Sequence, residues 1–342
     1  MLKSSAQILL LACLSWPVIT SAQPDMAKLI ELNNSIVLVS VDLPGGGTGT
    51  GSGVVINNNY VATDCHVLAN ARGVNIAKFN DGYQPIALKA DWKHDLCLLK
   101  FDQLPFKPVP MRDSASLQYQ EEVFTVSYAN STSIPRPSFG NLKAIYPFDG
   151  SVIVRSSAAF ALGASGGALF DQDFNLIGIT TFKSPGSHGY FYSLPVEWIK
   201  RLFDAPDLLT LNTNEMPFWS LPEEQRPFFM RVVIPYQNEN WDELKRIASL
   251  WSQQEPDSAD AWYYQGLAEY ELKDPKQAAT HLARAISLNP RHVEVQIKLA
   301  MLAIADGDKP QAEKIRDIVK NLDADEAESL SSRIAKMGVS TR

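Results

Sequence analysis

The sequence is poor in the residues that would point to several common functions. It has 342 residues, a formal net charge of −7, three cysteines and five histidines. That charge argues against sequence-independent nucleic-acid binding, which needs a dense basic surface. Beyond the N-terminus no apolar run of about 18 residues appears, so no membrane span is expected in the mature chain. The Gly/Thr-rich stretch from Pro44 to Gly53 lacks the Gly-Lys-Ser/Thr ending of a phosphate loop. It runs into Val54-Val55-Ile56, which reads as a strand, where a phosphate loop would open a helix. With only His66, His94, His188, His281 and His292 present, any proton-transfer chemistry at neutral pH has few candidate bases.

What the chain does have is a serine set among glycine and alanine: Gly163-Ala164-Ser165-Gly166-Gly167-Ala168-Leu169-Phe170. Such residues add little packing area and raise the entropic cost of ordering the backbone. They permit a tight turn whose N–H groups point into open space beside a hydroxyl, as acyl transfer requires. A plain glycine-rich β-turn with an incidental serine is the alternative on this stretch alone. A serine needs a base, and His66 closes the apolar run Tyr60-Val61-Ala62-Thr63-Asp64-Cys65. An acid to orient that imidazole is offered by Asp95, at the mouth of Leu96-Cys97-Leu98-Leu99.

These segments resemble a chymotrypsin-fold (trypsin-like) serine protease of the bacterial HtrA/Deg type. The likeness spans roughly residues 30–205, through Gly51-Ser52-Gly53-Val54-Val55-Ile56, Thr63-Asp64-Cys65-His66-Val67, Asp95-Leu96-Cys97-Leu98-Leu99 and Gly163-Ala164-Ser165-Gly166-Gly167. Leu176-Ile177-Gly178-Ile179-Thr180-Thr181 and Tyr192-Ser193-Leu194-Pro195 match the family's substrate strand and closing segment. The resemblance implies His66 as general base, Asp95 as orienting acid and Ser165 as nucleophile, with the Gly163 and Ser165 amides as oxyanion hole. It places the specificity pocket near Ala159, Thr181, Phe182, Lys183, Gly189, Tyr190 and Phe191. No Asp sits at the expected pocket base, which favours a small or medium apolar side chain over a basic one. It implies no metal and no organic cofactor. Ala164 stands where the family usually has Asn or Asp, so activation by an ion pair to a new N-terminus is not expected.

Residues 1–22 read as a signal peptide, with Lys3, an apolar Ile8–Ile19 stretch and Thr20-Ser21-Ala22 before the cleavage point. A lipoprotein reading through Cys13 is the alternative. Export, to the periplasm or beyond, leaves Cys65 and Cys97 in an oxidising compartment. A disulfide between them is expected; two reduced thiols, or a zinc site drawing on His66 and His94, are the alternatives. Cys65 and His66, as strand neighbours, would point to opposite faces, which disfavours zinc.

Short strands are expected at 35–41, 74–79, 85–91, 96–101, 122–127, 140–145 and 152–156, with 44–53 as a loop. Without helical patterns between them they indicate closed antiparallel barrels, and the resemblance implies two of six strands within a protease domain at 25–205. Trp198–Phe203 would be a short closing helix. Residues 206–225, with three prolines, read as a linker. From 226 to 338 the period becomes helical. Ala261-Trp262, Gly266, Ala278, Ala285 and Pro290 match a 34-residue tetratricopeptide (TPR) pattern, repeated less completely from Leu299. Trp241 to Pro256 would be the second helix of an earlier repeat whose first is spoiled by Pro235. Residues 326–337 would cap the array, and His281 and His292 would lie on its surface.

The expectation is therefore a multidomain chain, all-β double barrel followed by all-α repeats. It would be an exported serine endopeptidase acting on protein or peptide, with repeats that dock substrate or partner. A degenerate protease barrel serving only as a binding scaffold is the second reading. An α/β-hydrolase esterase is excluded, because His and Asp precede Ser165 and a strand follows it.

Overall fold

The computed structural model describes residues 25–78, 81–129, 132–186 and 189–337. The signal segment, Cys13 and His188 lie outside the described residues. A short helix α1 (Met26–Leu32), capped by the Asp25 carboxylate, leads into the first β-unit. That unit comprises β1 (Ile36–Asp42), β2 (Thr48–Asn57), β3 (Tyr60–Asp64), the single turn α2 (Cys65–Leu68), β4 (Gly73–Lys78), β5 (Asp81–Tyr83), β6 (Ala87–Asp91) and β7 (Leu96–Lys100). The second has β8 (Glu122–Ser127), β9 (Arg136–Phe148), β10 (Ser151–Ser156), β11 (Gly167–Asp171), β12 (Leu176–Lys183) and β13 (Phe191–Pro195), followed by α3 (Val196–Leu202).

The second unit is a closed six-stranded barrel, order β10-β13-β12-β11-β8-β9. The first has one strand more than the six expected. It is a seven-stranded antiparallel sheet, order β5-β4-β1-β2-β3-β7-β6 among the described residues. The expected loop at 44–53 also proves half strand. Residues Thr48 to Gly53 pair in register with β1, from Asp42↔Thr48 to Val37↔Gly53. Ladder hydrogen bonds there outweigh the entropic cost of glycine. The β6 edge is covered rather than bare, because Leu208 and Leu88 exchange backbone hydrogen bonds (2.7 and 3.0 Å).

That covering strand belongs to residues 206–225, so the expected linker is not free chain. Leu208 and Leu211 pack on the apolar cluster of the first unit, and the Phe218 ring is 1% exposed. The Phe218 amide donates to the Lys93 carbonyl (2.9 Å). Three prolines remove amide donors, but the Leu208, Thr213 and Phe218 amides find partners on the β-unit, which is what local composition cannot reveal.

The helical part begins with α4 (Phe228–Arg231) and α5 (Val233–Gln237), which contains Pro235, then α6 (Trp241–Gln254). Two antiparallel helix pairs follow, α7 (Ala259–Glu271) with α8 (Pro275–Leu288) and α9 (Val293–Ala305) with α10 (Lys309–Lys320), before α11 (Ala324–Lys336). Helices α7 to α11 are capped by the side chains of Ser258, Asp274, His292, Asp308 and Asp323 in turn. Gly266 explains the closeness of the first pair: a Cβ there would lie 2.9 Å from the Leu282 Cγ.

The repeats sit on the barrel rather than beside it. Phe229 of α4 stacks on Tyr146 of β9 (4.4 Å, 7°), and the Tyr264 hydroxyl of α7 donates to that of Tyr190 (3.3 Å). One continuous apolar cluster includes Phe124 and Ile153 of the barrel and Leu244, Leu267 and Leu282 of the helices. His292, expected at the surface, is fully buried in this seam, and His281 is bonded to Glu269 (2.6 Å). Helices α7 and α9 therefore face the barrel side, while α8 and α10 carry the exposed charges.

Candidate active site

Three connections on different strands converge where the two β-units meet. The chain leaves β3 through Asp64 into α2, which presents His66. Asp95 ends the turn between β6 and β7 in the left-handed region, at φ +64°. A non-glycine residue there is strained and needs surrounding contacts to hold it. Those contacts are present. The Asp95 carbonyl accepts from the Cys65 amide (3.0 Å), and its Oδ1 accepts from the His66 amide (2.7 Å). Cys65 and Cys97 are joined as a disulfide, so the two turns are also tied covalently.

Ser165 lies on the loop before β11. Gly163 and Gly166 flank it at φ +89° and +84°. A Cβ at Gly163 would lie 2.7 Å from the Tyr128 carbonyl oxygen, and one at Gly166 would collide with that of Ser52. Glycine is required at both on space as well as on φ. The loop is held from the other β-unit: the Ser52 amide donates to the Ser165 carbonyl (2.7 Å), and the Ser52 hydroxyl to the Gly163 carbonyl (2.8 Å). The amides of Ala164, Gly166 and Gly167 donate to Ala161, Thr180 and Ala164. Those of Gly163 and Ser165 have no protein acceptor among the described residues.

The three side chains expected from the sequence form one relay. His66 Nδ1 lies 2.7 Å from Asp95 Oδ2, and His66 Nε2 lies 3.0 Å from Ser165 Oγ. Ser165 Oγ is also 3.3 Å from the Thr181 carbonyl oxygen. The imidazole side chain is 30% exposed and Asp95 is fully buried. Burial disfavours the imidazolium, but the hydrogen bond and charge of Asp95, with Asp64 adding, outweigh it and hold the His66 pKa up at about 9.

Two neighbours of the relay were not anticipated. Asp64, fully buried, accepts from the Thr181 hydroxyl (2.9 Å), and its Oδ2 lies 3.9 Å from His66 Nδ1. Burial and then the Asp95 charge push its pKa well above the usual carboxylate range. Trp219, from the strap at 206–225, donates its indole Nε1–H to Asp95 Oδ2 (2.8 Å) and sets its ring edge-on to His66 (5.3 Å). Asp64 sits one residue from Cys65 in the motif already read; Trp219 is 124 residues from Asp95 and gives no local signal.

The expected pocket residues divide. Ala159 and Lys183 are exposed, and the Lys183 stem lies over Gly189 with its ammonium 5.7 Å from the Phe191 ring centre. The ring of Phe182, by contrast, stacks on Tyr192 (4.5 Å). The Tyr190 ring lies under the Arg155 guanidinium (4.3 Å). Both rings are committed to packing, so what they offer a substrate is backbone. The zinc alternative loses its donors, since the two sulfurs are joined to each other. His94 is held between Asp91 and Asp149 (2.7 and 2.8 Å). Asp64, His66 and Asp95 place possible ligand atoms within 4.8 Å of one another, but the short Asp95–His66 hydrogen bond accounts for that closeness.

Known protein families match this chain in two separate regions. The family described as trypsin-like peptidase domain matches residues 51–179, which contain all three relay residues. That stretch is thus similar to a trypsin-like peptidase domain. A tetratricopeptide repeat family matches residues 269–334. The peptidase domain is similar to a probable periplasmic serine endoprotease, DegP-like, of Halomonas elongata, at 28% identity over 156 residues. That is 43% of this chain and 33% of the relative. It is also similar to the periplasmic pH-dependent serine endoprotease DegQ of Escherichia coli, at 29% over 169 residues, 45% of this chain and 36% of the relative. The chain thus spans about a third of the length of these curated relatives. Among solved structures, an HtrA-type protease AlgW with tripeptide aligns at 20% identity and TM-score 0.48, over 53% of this chain and 62% of that one. The Rv3671c protease of M. tuberculosis in its active form aligns at 18% and 0.48, over 60% and 99%.

Proposed function

We propose that the chain is an exported serine endopeptidase in which His66, Asp95 and Ser165 act as a catalytic triad. The observation that carries this reading is the unbroken relay from Asp95 Oδ2 through His66 to Ser165 Oγ, at 2.7 and 3.0 Å. His66 takes the Ser165 proton as the hydroxyl attacks a peptide carbonyl, and Asp95 keeps Nδ1 protonated and stabilises the imidazolium. The developing oxyanion rests on the Gly163 and Ser165 amides, whose N–H groups are not spent elsewhere. His66 then protonates the leaving amine, and water, activated in the same way, releases the acyl group. The substrate-holding roles of Ala159, Lys183 and the 189–191 backbone are what the protease resemblance implies.

The periplasmic relatives support export, and the proposed domain order is a peptidase domain at 25–205, a strap at 206–225 and repeats at 226–338. Docking of a protein by the repeats would use the outward helices α8 and α10, because α7 and α9 already contact the barrel. A scaffold without activity would have no need of a relay in hydrogen-bond contact, nor of a strained Asp95. The test is labelling of the full chain with a fluorophosphonate. Modification at Ser165, lost on heating the protein beforehand, is expected; a folded chain that neither labels nor cleaves a peptide library would favour the scaffold.

A further inference from the structure

We propose that Trp219 is a positioning residue of the triad, delivered by the strap that joins the barrel to the helical repeats. The proposal rests on the serine-peptidase reading above and goes beyond it, because it adds a residue from outside the matched domain. Asp95 Oδ2 is the oxygen that holds His66 Nδ1, and the Trp219 indole N–H donates to that same oxygen at 2.8 Å. The other carboxylate oxygen takes the His66 amide. With three donors on two oxygens the carboxylate cannot rotate, and the indole ring, edge-on to the imidazole, blocks the direction in which His66 could swing away.

Trp219 is itself fixed from three sides. Its ring lies nearly parallel to Phe182 of the substrate strand (5.9 Å, 21°). Its neighbour Phe218 is buried against Phe148 (4.9 Å) and Phe182 (5.8 Å), with its amide on the Lys93 carbonyl two residues before Asp95. Ten residues on, Phe229 anchors the same strand of chain against Tyr146 and Phe148. The strap is therefore short, pinned at both ends, and aimed at one oxygen atom. A hydrogen bond to a buried charge is stronger than one between neutral groups, and here it holds an acid already in strained backbone.

The consequence for chemistry has a sign. The indole shares the charge of Oδ2 with His66. Without it, more of that charge faces the imidazole, which favours imidazolium, while the carboxylate loses one of its constraints. The other groups facing His66 are Asp64 at 3.9 Å, Ser165 Oγ and, through Asp64, the Thr181 hydroxyl, and none of them replaces the indole donor.

The experiment compares wild-type full-length chain with Trp219→Phe, which keeps one aromatic ring but loses the N–H donor and the indole's second ring. Expected are a fall in kcat of about 10-fold with KM little changed, and an acid limb of the pH profile moved to higher pH. The His66 Nδ1–H proton should change its NMR shift, and a Trp219→His variant, which restores an N–H, should recover part of the loss. In wild type the Trp219 indole N–H resonance should titrate with the same midpoint as His66, a readout that holds even if the Phe variant folds poorly. An unchanged pH profile and proton shift in a folded Trp219→Phe protein, or an indole resonance indifferent to His66, would overturn the proposal. Should wild-type Ser165 fail to label with a fluorophosphonate, the peptidase reading falls instead, and the two resonances alone decide the role of Trp219.

Discussion

Two histidines in this molecule sit in nearly the same electrostatic setting and do different things. His66 lies between Asp95 and Asp64; His292, at the seam of barrel and repeats, lies between Glu294 (3.2 Å) and Asp260 (3.8 Å). In each case burial opposes the imidazolium and the carboxylates overcome it, and each pKa stands at about 9. Each also has a hydroxyl near its Nε2, Ser165 at 3.0 Å and Tyr119 at 3.3 Å. What separates them is access. The His66 side chain is 30% exposed beside amides without protein acceptors, whereas His292 is sealed among Tyr119, Tyr263 and the helix α9 whose N-terminus it caps. The pair teaches that charge and proton affinity do not make a reactive site. An opening, and donors aimed into it, do.

The comparison breaks most sharply at the hydroxyls. Ser165→Ala is expected to remove about 10⁶ in kcat on a short peptide with the melting temperature little changed. Tyr119→Phe should do the reverse, costing stability and leaving kcat alone. Parallel turnover and thermal-melt measurements read both. At the acids, Asp95→Asn should lose about 10⁴ in turnover by favouring the wrong His66 tautomer. Asp260→Asn should instead cost about 3 kcal/mol in denaturant unfolding, since it leaves His292 under-compensated in the interior.

The two regions differ next in how they are held. The His66 turn is stapled by the Cys65–Cys97 disulfide, and the seam is not. Replacing both cysteines by alanine should cost about 3–4 kcal/mol for a loop of 32 residues, falling on the first β-unit. Hydrogen exchange should show the α7 amides at the seam unaffected. Equal loss of protection in both places would contradict that division.

A further effect is expected from pH, and it has opposite signs for activity and stability. Both folded pKa values lie above the ordinary 6.5, so the stability each histidine contributes is full below about 6.5 and lost as the pH rises through about 9. Cleavage needs neutral His66 and should rise over that same window. Peptide turnover and thermal midpoint, measured from pH 6 to 10, should therefore move in opposite directions.

How much of this could be read beforehand follows from distance along the chain. Ser165, His66 and Cys65 each sit in a short motif whose residue types state their own purpose, and Gly266 with Ala278 marks close helix packing locally. The strap does not: Pro206, Pro217 and Pro222 give it the composition of a linker, and only a partner 124 residues away makes Trp219 meaningful. His292 misleads for a related reason. As the residue after Asn-Pro-Arg it resembles an exposed helix start, and it is the Tyr119 loop, 173 residues earlier, that buries it.

The contacts that complete the relay also bear on when it appears. Ser52 to Gly163 spans 111 residues and Asp95 to Trp219 spans 124. Closing such separations is what slows the folding of β-rich chains, since chain entropy is lost before the contacts form. In refolding, secondary structure should therefore recover well ahead of peptide cleavage. A newly made chain would then pass through a stage in which its strands are paired and its nucleophile is still idle, which limits self-cleavage while neighbouring copies are unfolded.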